Sequence, residues 1–293
     1  MSFSSEVKQE LNKNSKLVNK EQVKNELIGY LISGNIEVSK RGKIKFSTES
    51  DYNINRFSKL LANLNINHDI EIIGKNFIVK LNKKEITDLV DIENNLIYLK
   101  EKYIDQLKNE NLKAIIRGVF MGSGSINDPN KKYHLEISFN TEENVNKIIS
   151  ILKILDINTK KMIIENKKSL YIKEGEEISK FLALIGAAKA VMDFEEIRIQ
   201  KEMRGKVNRL VNCETANLNK TINASIEQIA AIKKLKEKGK FSNLSDNLKE
   251  IANLRIENPD MSLSDLGKKL NKPLGKSGVN YRLKKIMELA DEE

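Results

Sequence analysis

The sequence predicts an α+β protein in which one α+β unit occurs twice in tandem and a small all-helical domain follows. The order α-β-β-α-β-β-α read over residues 20–90 recurs over 112–185. Aligning Gly29 with Gly118, Phe46 with Phe139, and Leu64-Asn-Ile66 with Leu155-Asp-Ile157 gives a nearly constant offset of about ninety residues, too long for a solenoid unit. Past residue 222 the apolar residues keep helical spacing only.

Met1 to Leu11 reads as the start of an amphipathic helix. In the first repeat, Val23, Leu27, Ile28 and Leu31 mark a helix stopped by Gly34-Asn35. Ile36–Ser39 and Lys43–Thr48 alternate around Gly42 as a hairpin, and Ile54, Phe57, Leu60, Leu61 and Leu64 mark a second helix. Asp69–Ile73 and Phe77–Leu81 flank Gly74 as a second hairpin; helix is expected from Glu85 to Val90, and another from about Asp91 to Leu107 joins the repeats. In the second repeat, a helix over Leu112–Met121 ends in Gly122-Ser-Gly124, and the strand His134–Phe139 precedes a helix with Val145, Ile148, Ile149 and Leu152. Lys161–Ile164 and Leu170–Ile172 pair around Asn166-Lys-Lys168, and Ile178–Ile185 closes the repeat as helix.

Glu195 to Arg209 reads as a mixed-charge helix, and Val211 to Lys220 is polar with almost no apolar periodicity. The expected division is therefore 1–106 for the N-terminal helix and first repeat, 107–210 for the second repeat, 211–221 for a linker and 222–293 for the helical domain. In that last domain Ser225 is placed to cap a helix carrying Ile226, Ile229, Ile232 and Leu235 up to Gly239, and another stops at Asn258-Pro259.

The 293 residues carry a net charge of +10 and one cysteine, Cys213. The charge favours a polyanionic partner, and a single cysteine excludes an intrachain disulfide framework. His68 and His134 give no zinc spacing, so neither a metal nor a cofactor is expected. No apolar run approaches a membrane span, and a cytoplasmic protein is expected.

The most informative stretch is Met261 to Ile286. Ser262 followed by Asp265 is a capping-box-like start to a helix with Leu263, Leu266 and Leu270 on one face. Pro273 and Gly275 break it, and Ser277 is placed to cap a second helix carrying Val279, Leu283, Ile286 and Ala290. Every charge from Lys268 to Lys285 is positive. Spacing, capping and charge together favour a helix-turn-helix, at about 261–293, over a merely solvated basic hairpin. The expected DNA-binding residues are Lys268, Lys272, Lys276, Ser277, Asn280, Tyr281, Arg282, Lys284 and Lys285, with Arg209 and Lys220 from the basic stretch before the domain.

Leu27-Ile-Gly-Tyr-Leu-Ile-Ser-Gly-Asn35 and Ile116-Arg-Gly-Val-Phe-Met-Gly-Ser-Gly124 resemble degenerate LAGLIDADG helices, the signature of the homing-endonuclease fold. The resemblance implies a saddle in which the two helices pack along a pseudo-two-fold axis through small residues: Gly29, Ser33, Gly34, Gly118 and Gly122. It also implies a metal-binding acid just before each motif's final glycine position, where this chain has Gly34 and Ser123. Neither can hold a hard divalent cation, so no enzymatic activity is expected. A LAGLIDADG-like saddle followed by a helix-turn-helix resembles the WhiA family over essentially the whole chain. The stretches that carry this are Arg117–Pro129 with Tyr133–Glu136, Asn208–Asn217 and Lys276–Lys285. Tyr281 stands where much of that family is expected to have histidine.

The resemblance implies a bacterial DNA-binding regulator tied to cell division, chromosome segregation and, in some lineages, sporulation. Its expected partners are double-stranded DNA and, through the saddle, another regulatory protein; its expected place is the nucleoid. Two rivals remain at this point. One is a metal-dependent endonuclease using displaced carboxylates such as Asp128 or Glu136. The other is a chromosome-organising or protein-interaction factor with weak, nonspecific DNA contact. Asn127-Asp128-Pro129 also reads as plain turn chemistry, Arg117 as a locally paired arginine and His134 as a structural histidine.

Overall fold

In a computed structural model describing residues 2–14, 17–101, 108–165 and 167–292, the chain divides into two units, Met1–Lys201 and Glu202–Glu293. The first opens on α1 (Phe3–Asn14). Its first repeat runs α2 (Lys20–Leu31), β1 (Ile36–Val38), β2 (Lys43–Thr48), α3 (Asp51–Asn63), β3 (His68–Ile73) and β4 (Asn76–Asn82). A short hairpin, β5 (Asp91–Glu93) and β6 (Leu96–Tyr98), follows. The second repeat runs α4 (Asn109–Ser123), β7 (Gly124–Ile126), β8 (Leu135–Phe139), α5 (Glu142–Ile154), β9 (Lys160–Ile164), β10 (Lys167–Ile172) and α6 (Gly175–Ile185).

The two sheets have the same antiparallel topology, β1-β2-β4-β3 and β7-β8-β10-β9. Corresponding helices start the same way: Ser50 Oγ accepts from Asn53 N at 3.3 Å to open α3, and Thr141 Oγ1 accepts from Asn144 N at 3.1 Å to open α5. One continuous core joins the repeats, from Leu27, Phe46 and Phe57 to Phe120, Leu152 and Phe181.

The repeats meet along α2 and α4 with almost no side chain between them. A Cβ built on Gly118 would press on the Glu26 carbonyl oxygen, and one built on Gly29 would press on the Ile115 carbonyl oxygen and lie 2.7 Å from Val119 N. Beside this contact Arg56 donates through Nε and Nη2 to the two carboxylate oxygens of Glu26, at 2.8 and 2.7 Å. Arg117 of α4 reaches the same carboxylate at 3.4 Å and donates from Nε to Ile185 O at 2.8 Å. Tyr30 donates to Asn53 Oδ1, and Asn53 Nδ2 donates to Met121 O, so the seam is hydrogen-bonded as well as close-packed.

Several expectations are corrected. The helix expected over 91–107 is, as far as residue 101, the β5–β6 hairpin; 102–107 lie outside the described residues. Its loop residues Asn94 and Asn95 have φ of 50° and 62°, the left-handed pair of a two-residue hairpin turn, for which asparagine is suited. The hairpin is held by α5: Asn144 Oδ1 accepts from Leu99 N and its Nδ2 donates to Ile97 O. Glu85 to Val90 holds only the end of a 3₁₀ turn, Lys83–Ile86, and further turns, being too short to close a helix. The recurring order implied a strand here, but its segment, β7, was not assigned, because Gly122-Ser-Gly124 read as a helix stop. Asn166, expected in the β9–β10 turn, lies outside the described residues.

From Ala188 a single helix of 50 residues, α7 (Ala188–Glu237), runs on, and the stretch expected as a linker, 211–221, is helical throughout and exposed for almost all its length. Its missing apolar period had argued against helix. A run without proline, whose early turns bury Ala190 and Phe194 and whose late turns bury Ile232 and Leu235, extends cooperatively from both ends without needing a buried stripe between. For the same reason Ser225 caps nothing: it lies inside α7, and its buried hydroxyl has no partner.

The glycine contacts set opposite signs for two substitutions. Gly118→Val should lower the stability of the first unit by about 3 kcal/mol, since backbone atoms would have to separate. Gly205→Ala, in exposed helix with only Arg209 Nη1 nearby at 3.5 Å, should raise stability by about 1 kcal/mol. Thermal or urea unfolding of the full chain measures both.

Candidate nucleic-acid interface

In the second unit the chain leaves α7 through Gly239, whose φ of 70° leads into a short 3₁₀ turn, Lys240–Asn243. Three helices follow: α8 (Asp246–Glu257), α9 (Leu263–Lys268) and α10 (Lys276–Asp291). They close a small core of Ile232, Leu235, Leu244, Ile251, Ala252, Leu266, Leu270, Val279, Leu283, Ile286 and Ala290.

Ser262 caps α9 as expected, its Oγ accepting from Asp265 N at 3.2 Å and donating to Asp265 Oδ2 at 2.7 Å. The turn into α10 passes over Gly267. Leu274 N donates to Gly267 O at 3.0 Å, and a Cβ on Gly267 would press on the Leu274 carbonyl oxygen and lie 3.0 Å from Val279 Cγ2. The α10 N-cap is Gly275, not Ser277; the Pro273-Leu274-Gly275 bend enters the helix two residues earlier than the apolar pattern indicated.

On α10 the core residues Val279, Leu283, Ile286 and Ala290 occupy one face. Ser277, Tyr281 and Lys284 recur at i, i+4 and i+7 on the opposite face, with Asn280 beside them and Lys285 on the other flank, all exposed. Tyr281 is 68% exposed, a large ring offered to solvent. Lys272 and Lys276 are exposed in the turn and first residue. Among the described residues, Lys272, Lys276, Lys284 and Lys285 have no ion-pair partner.

Two expected residues make contacts within the unit. Arg282 turns aside, half-buried, and its Nη1 lies 3.4 Å from Asn247 O of α8, so it ties α10 to its own core. Lys268 is exposed but sits 2.8 Å from Asp265 Oδ1, which helps hold that carboxyl below its ordinary pKa. Arg209 and Lys220 are both exposed on α7, but only Lys220 comes near α10, lining a hollow together with Lys276. Eleven helical residues, about 16 Å, separate Arg209 from it.

The residue that the sequence reading missed is Arg255. It follows Ile251 by four on the apolar face of α8, is only 1% exposed, and donates from Nη1 to Met261 O at 2.8 Å and Pro259 O at 3.3 Å. A charged residue on a core face was the available signal. Read as a helix with a stop at Asn258-Pro259, the stretch left no reason to separate it from solvated charges.

In the first unit the two motif-end positions hold Gly34 and Ser123, neither of them a carboxylate. Ser123 Oγ donates to Ser138 O at 2.6 Å and Gly34 N donates to the same oxygen at 2.9 Å, so both positions bind backbone of β8. Asp128 Oδ1 accepts from Asn130 N and Nδ2 at 2.8 and 3.0 Å, closing a turn. Glu136 pairs with Lys167 at 2.6 Å. Burial opposes its charge, but bonds from Lys167, Ser169 and His134 outweigh that and lower its pKa. Among the described residues no cluster of three metal-ligating side chains occurs, and no helix is long and apolar enough to cross a membrane.

Comparison with known proteins matches residues 207–290 to the WhiA C-terminal HTH domain and residues 112–204 to the WhiA LAGLIDADG-like domain. A relative from Clostridium beijerinckii, named "Probable cell division protein WhiA", is 39% identical over 100% of this chain and 98% of its own length. The chain belongs to the WhiA family. A second WhiA relative of the same name, from Clostridium novyi, is also 39% identical over 100% of this chain and 98% of its own length. Full-length DUF199/WhiA from Thermatoga maritima is similar at a TM-score of 0.59 and 30% identity, covering 99% of this chain and 98% of that one. The first unit of this WhiA-family chain is thus a LAGLIDADG-like domain and its C-terminal domain a helix-turn-helix, a module that binds DNA.

The geometry of the turn makes Gly267→Val destabilising by about 2 kcal/mol, because the new side chain meets backbone. Gly275→Ser should instead gain a few tenths, about 0.3 kcal/mol, by adding a capping oxygen in open space. Unfolding followed by far-UV circular dichroism on the full chain should show the two signs.

Proposed function

We propose that this protein is a sequence-specific DNA-binding transcriptional regulator linked to cell division, chromosome segregation and, in some lineages, sporulation, acting at the nucleoid in the cytoplasm. The observation that supports this most is the outward face of α10, where Asn280 and Tyr281 stand exposed beside the unpaired Lys276, Lys284 and Lys285. Exposed amide and phenol groups between lysines suit base edges flanked by phosphates. Lys272, Lys276, Lys284, Lys285 and Lys220 take phosphates, and Ser277, Asn280 and Tyr281 face the bases. Lys268 adds only charge, and Arg282 supports the helix.

The saddle takes a different part. Across its first sheet, cross-strand neighbours form a row Glu37, Lys45, Lys80 and Asp69, acids at both edges and lysines between, with Lys45 at 3.2 Å from Glu37 and Lys80 at 2.6 Å from Glu71. Such internally balanced charge offers a polyanion little net attraction. It fits a second, protein-facing role for this domain.

Selection from random duplexes with the full chain gives the preferred site. Asn280→Ala should then cost about 1–3 kcal/mol in discrimination at particular base pairs. Lys284→Ala should weaken all sequences alike and lower the salt slope by about one. Equal loss on selected and random duplexes for both variants would remove α10 as the reader.

The same reading includes the absence of phosphodiester hydrolysis. With glycine and serine at the helix ends, supercoiled plasmid incubated with the protein and magnesium or manganese should remain supercoiled. Linear product lost on mutating Asp128 or Glu136 would instead establish the endonuclease.

A further inference from the structure

Within the second unit a hollow of about 330 Å³ opens beside the start of α10, lined by Lys220, Thr221 and Ala224 of α7, Arg255 of α8, Ser262, Leu263 and Ser264 at the start of α9, and Lys276. Three cations from three helices converge there, and no carboxylate lines it. Arg255 is the buried member. Burial lowers its pKa, its Nη1 is spent on two carbonyls, and its buried Nε has no hydrogen-bond partner. A guanidinium only 1% exposed, with no ion-pair partner among the described residues, at the wall of a basic, hydroxyl-bearing hollow is costly unless an anion balances its charge.

We propose that this hollow is a binding site for a phosphate group. Lys220 and Lys276 supply the exposed charge, Arg255 the recessed charge, and the Ser264 hydroxyl a bond to a remaining oxygen, the Thr221 hydroxyl being already donated to Asn217 O at 3.0 Å. Ser262 is less available, since its Oγ already bonds Asp265. The phosphate can come from the DNA backbone or from a free phosphate ester, whose organic part would rest on Leu263 and Ala224. Because Lys276 belongs both to this site and to the first residue of α10, occupancy and DNA contact are linked. The site rests on the DNA-reading role of α10 only in its link to DNA, not in binding phosphate.

The first measurement is calorimetric titration of the full chain with inorganic phosphate at constant ionic strength, with chloride as control. The wild type should bind one phosphate saturably, and Lys220→Gln and Arg255→Met should each weaken binding about tenfold. Lys220 is exposed, so its variant stays informative if Arg255→Met fails to fold; Lys206→Gln, elsewhere on α7, should bind as the wild type does. The second measurement is the salt dependence of duplex binding. A slope lowered by about one in Lys220→Gln, with phosphate competing against duplex, assigns the site to a DNA phosphate. An unchanged slope alongside lost phosphate binding assigns it to a free phosphate ester. No saturable phosphate binding by the wild type, or equal binding by Lys220→Gln, overturns the proposal. Saturable phosphate binding by a chain without sequence preference would leave the site standing while the proposed reading role fell.

Discussion

The backbone contact between Gly29 and Gly118 is the constraint on which the first unit depends. Two helices can approach this closely only where neither has a Cβ at the crossing, and the contact brings the carbonyls of Glu26 and Ile115 against the partner helix. Everything that relates one repeat to the other follows from it. Asn35 Nδ2 donates to Gly122 O at 2.8 Å and Asn140 Nδ2 to Ile36 O at 2.7 Å, bonds that exist only because the helix ends lie side by side. The Glu26 carboxylate, with a side chain only 3% exposed, would be a severe cost alone. Arg56 from its own repeat and Arg117 from the other neutralise it, so the seam is matched in charge as well as in shape.

The same seam fixes what stands at the two motif ends. The positions where the homing-endonuclease resemblance places metal-binding acids are occupied by a glycine and a serine that both bond to the Ser138 carbonyl. A group held by backbone in this way serves packing between α4 and the second sheet. Glu136 and Asp128, the acids weighed as displaced carboxylates, are likewise bound by Lys167 and by the Asn130 turn. The paired helices thus end in structural bonds to β8.

The helical unit is organised by the opposite economy, with few contacts and most polar groups outward. Its core is small, and its tightest point is the Gly267 turn, which sets the angle at which α10 leaves α9. Arg255, bonded to the carbonyls of Pro259 and Met261, ties the α8–α9 loop to the same core. Among the described residues, three helices so braced leave the lysines of the outer face of α10 without an ion-pair partner.

Much was legible in the sequence because it depends on local pattern. Apolar spacing marked most of the helices, alternation marked the two main hairpins of the first repeat and the last of the second, and Ser262 with Asp265 marked the start of α9. The repeat itself was visible as a register of glycines and apolar residues. What escaped depended on partners distant in the chain. The β5–β6 hairpin is held by Asn144, which lies 45 residues or more away, and its Asn94-Asn95 turn was not read as one. The helicity of 211–221 is continuous with segments buried in cores on either side of it, so no pattern within the stretch could announce it. Arg255, Lys220 and Lys276 come from three separate helices, and only their packing places them around one hollow. Local sequence therefore determined the elements and their order, since propensity and period act over one or two turns. Tertiary structure alone decided which charges are buried, paired or left free, because burial and pairing are set by residues that the chain brings together from afar.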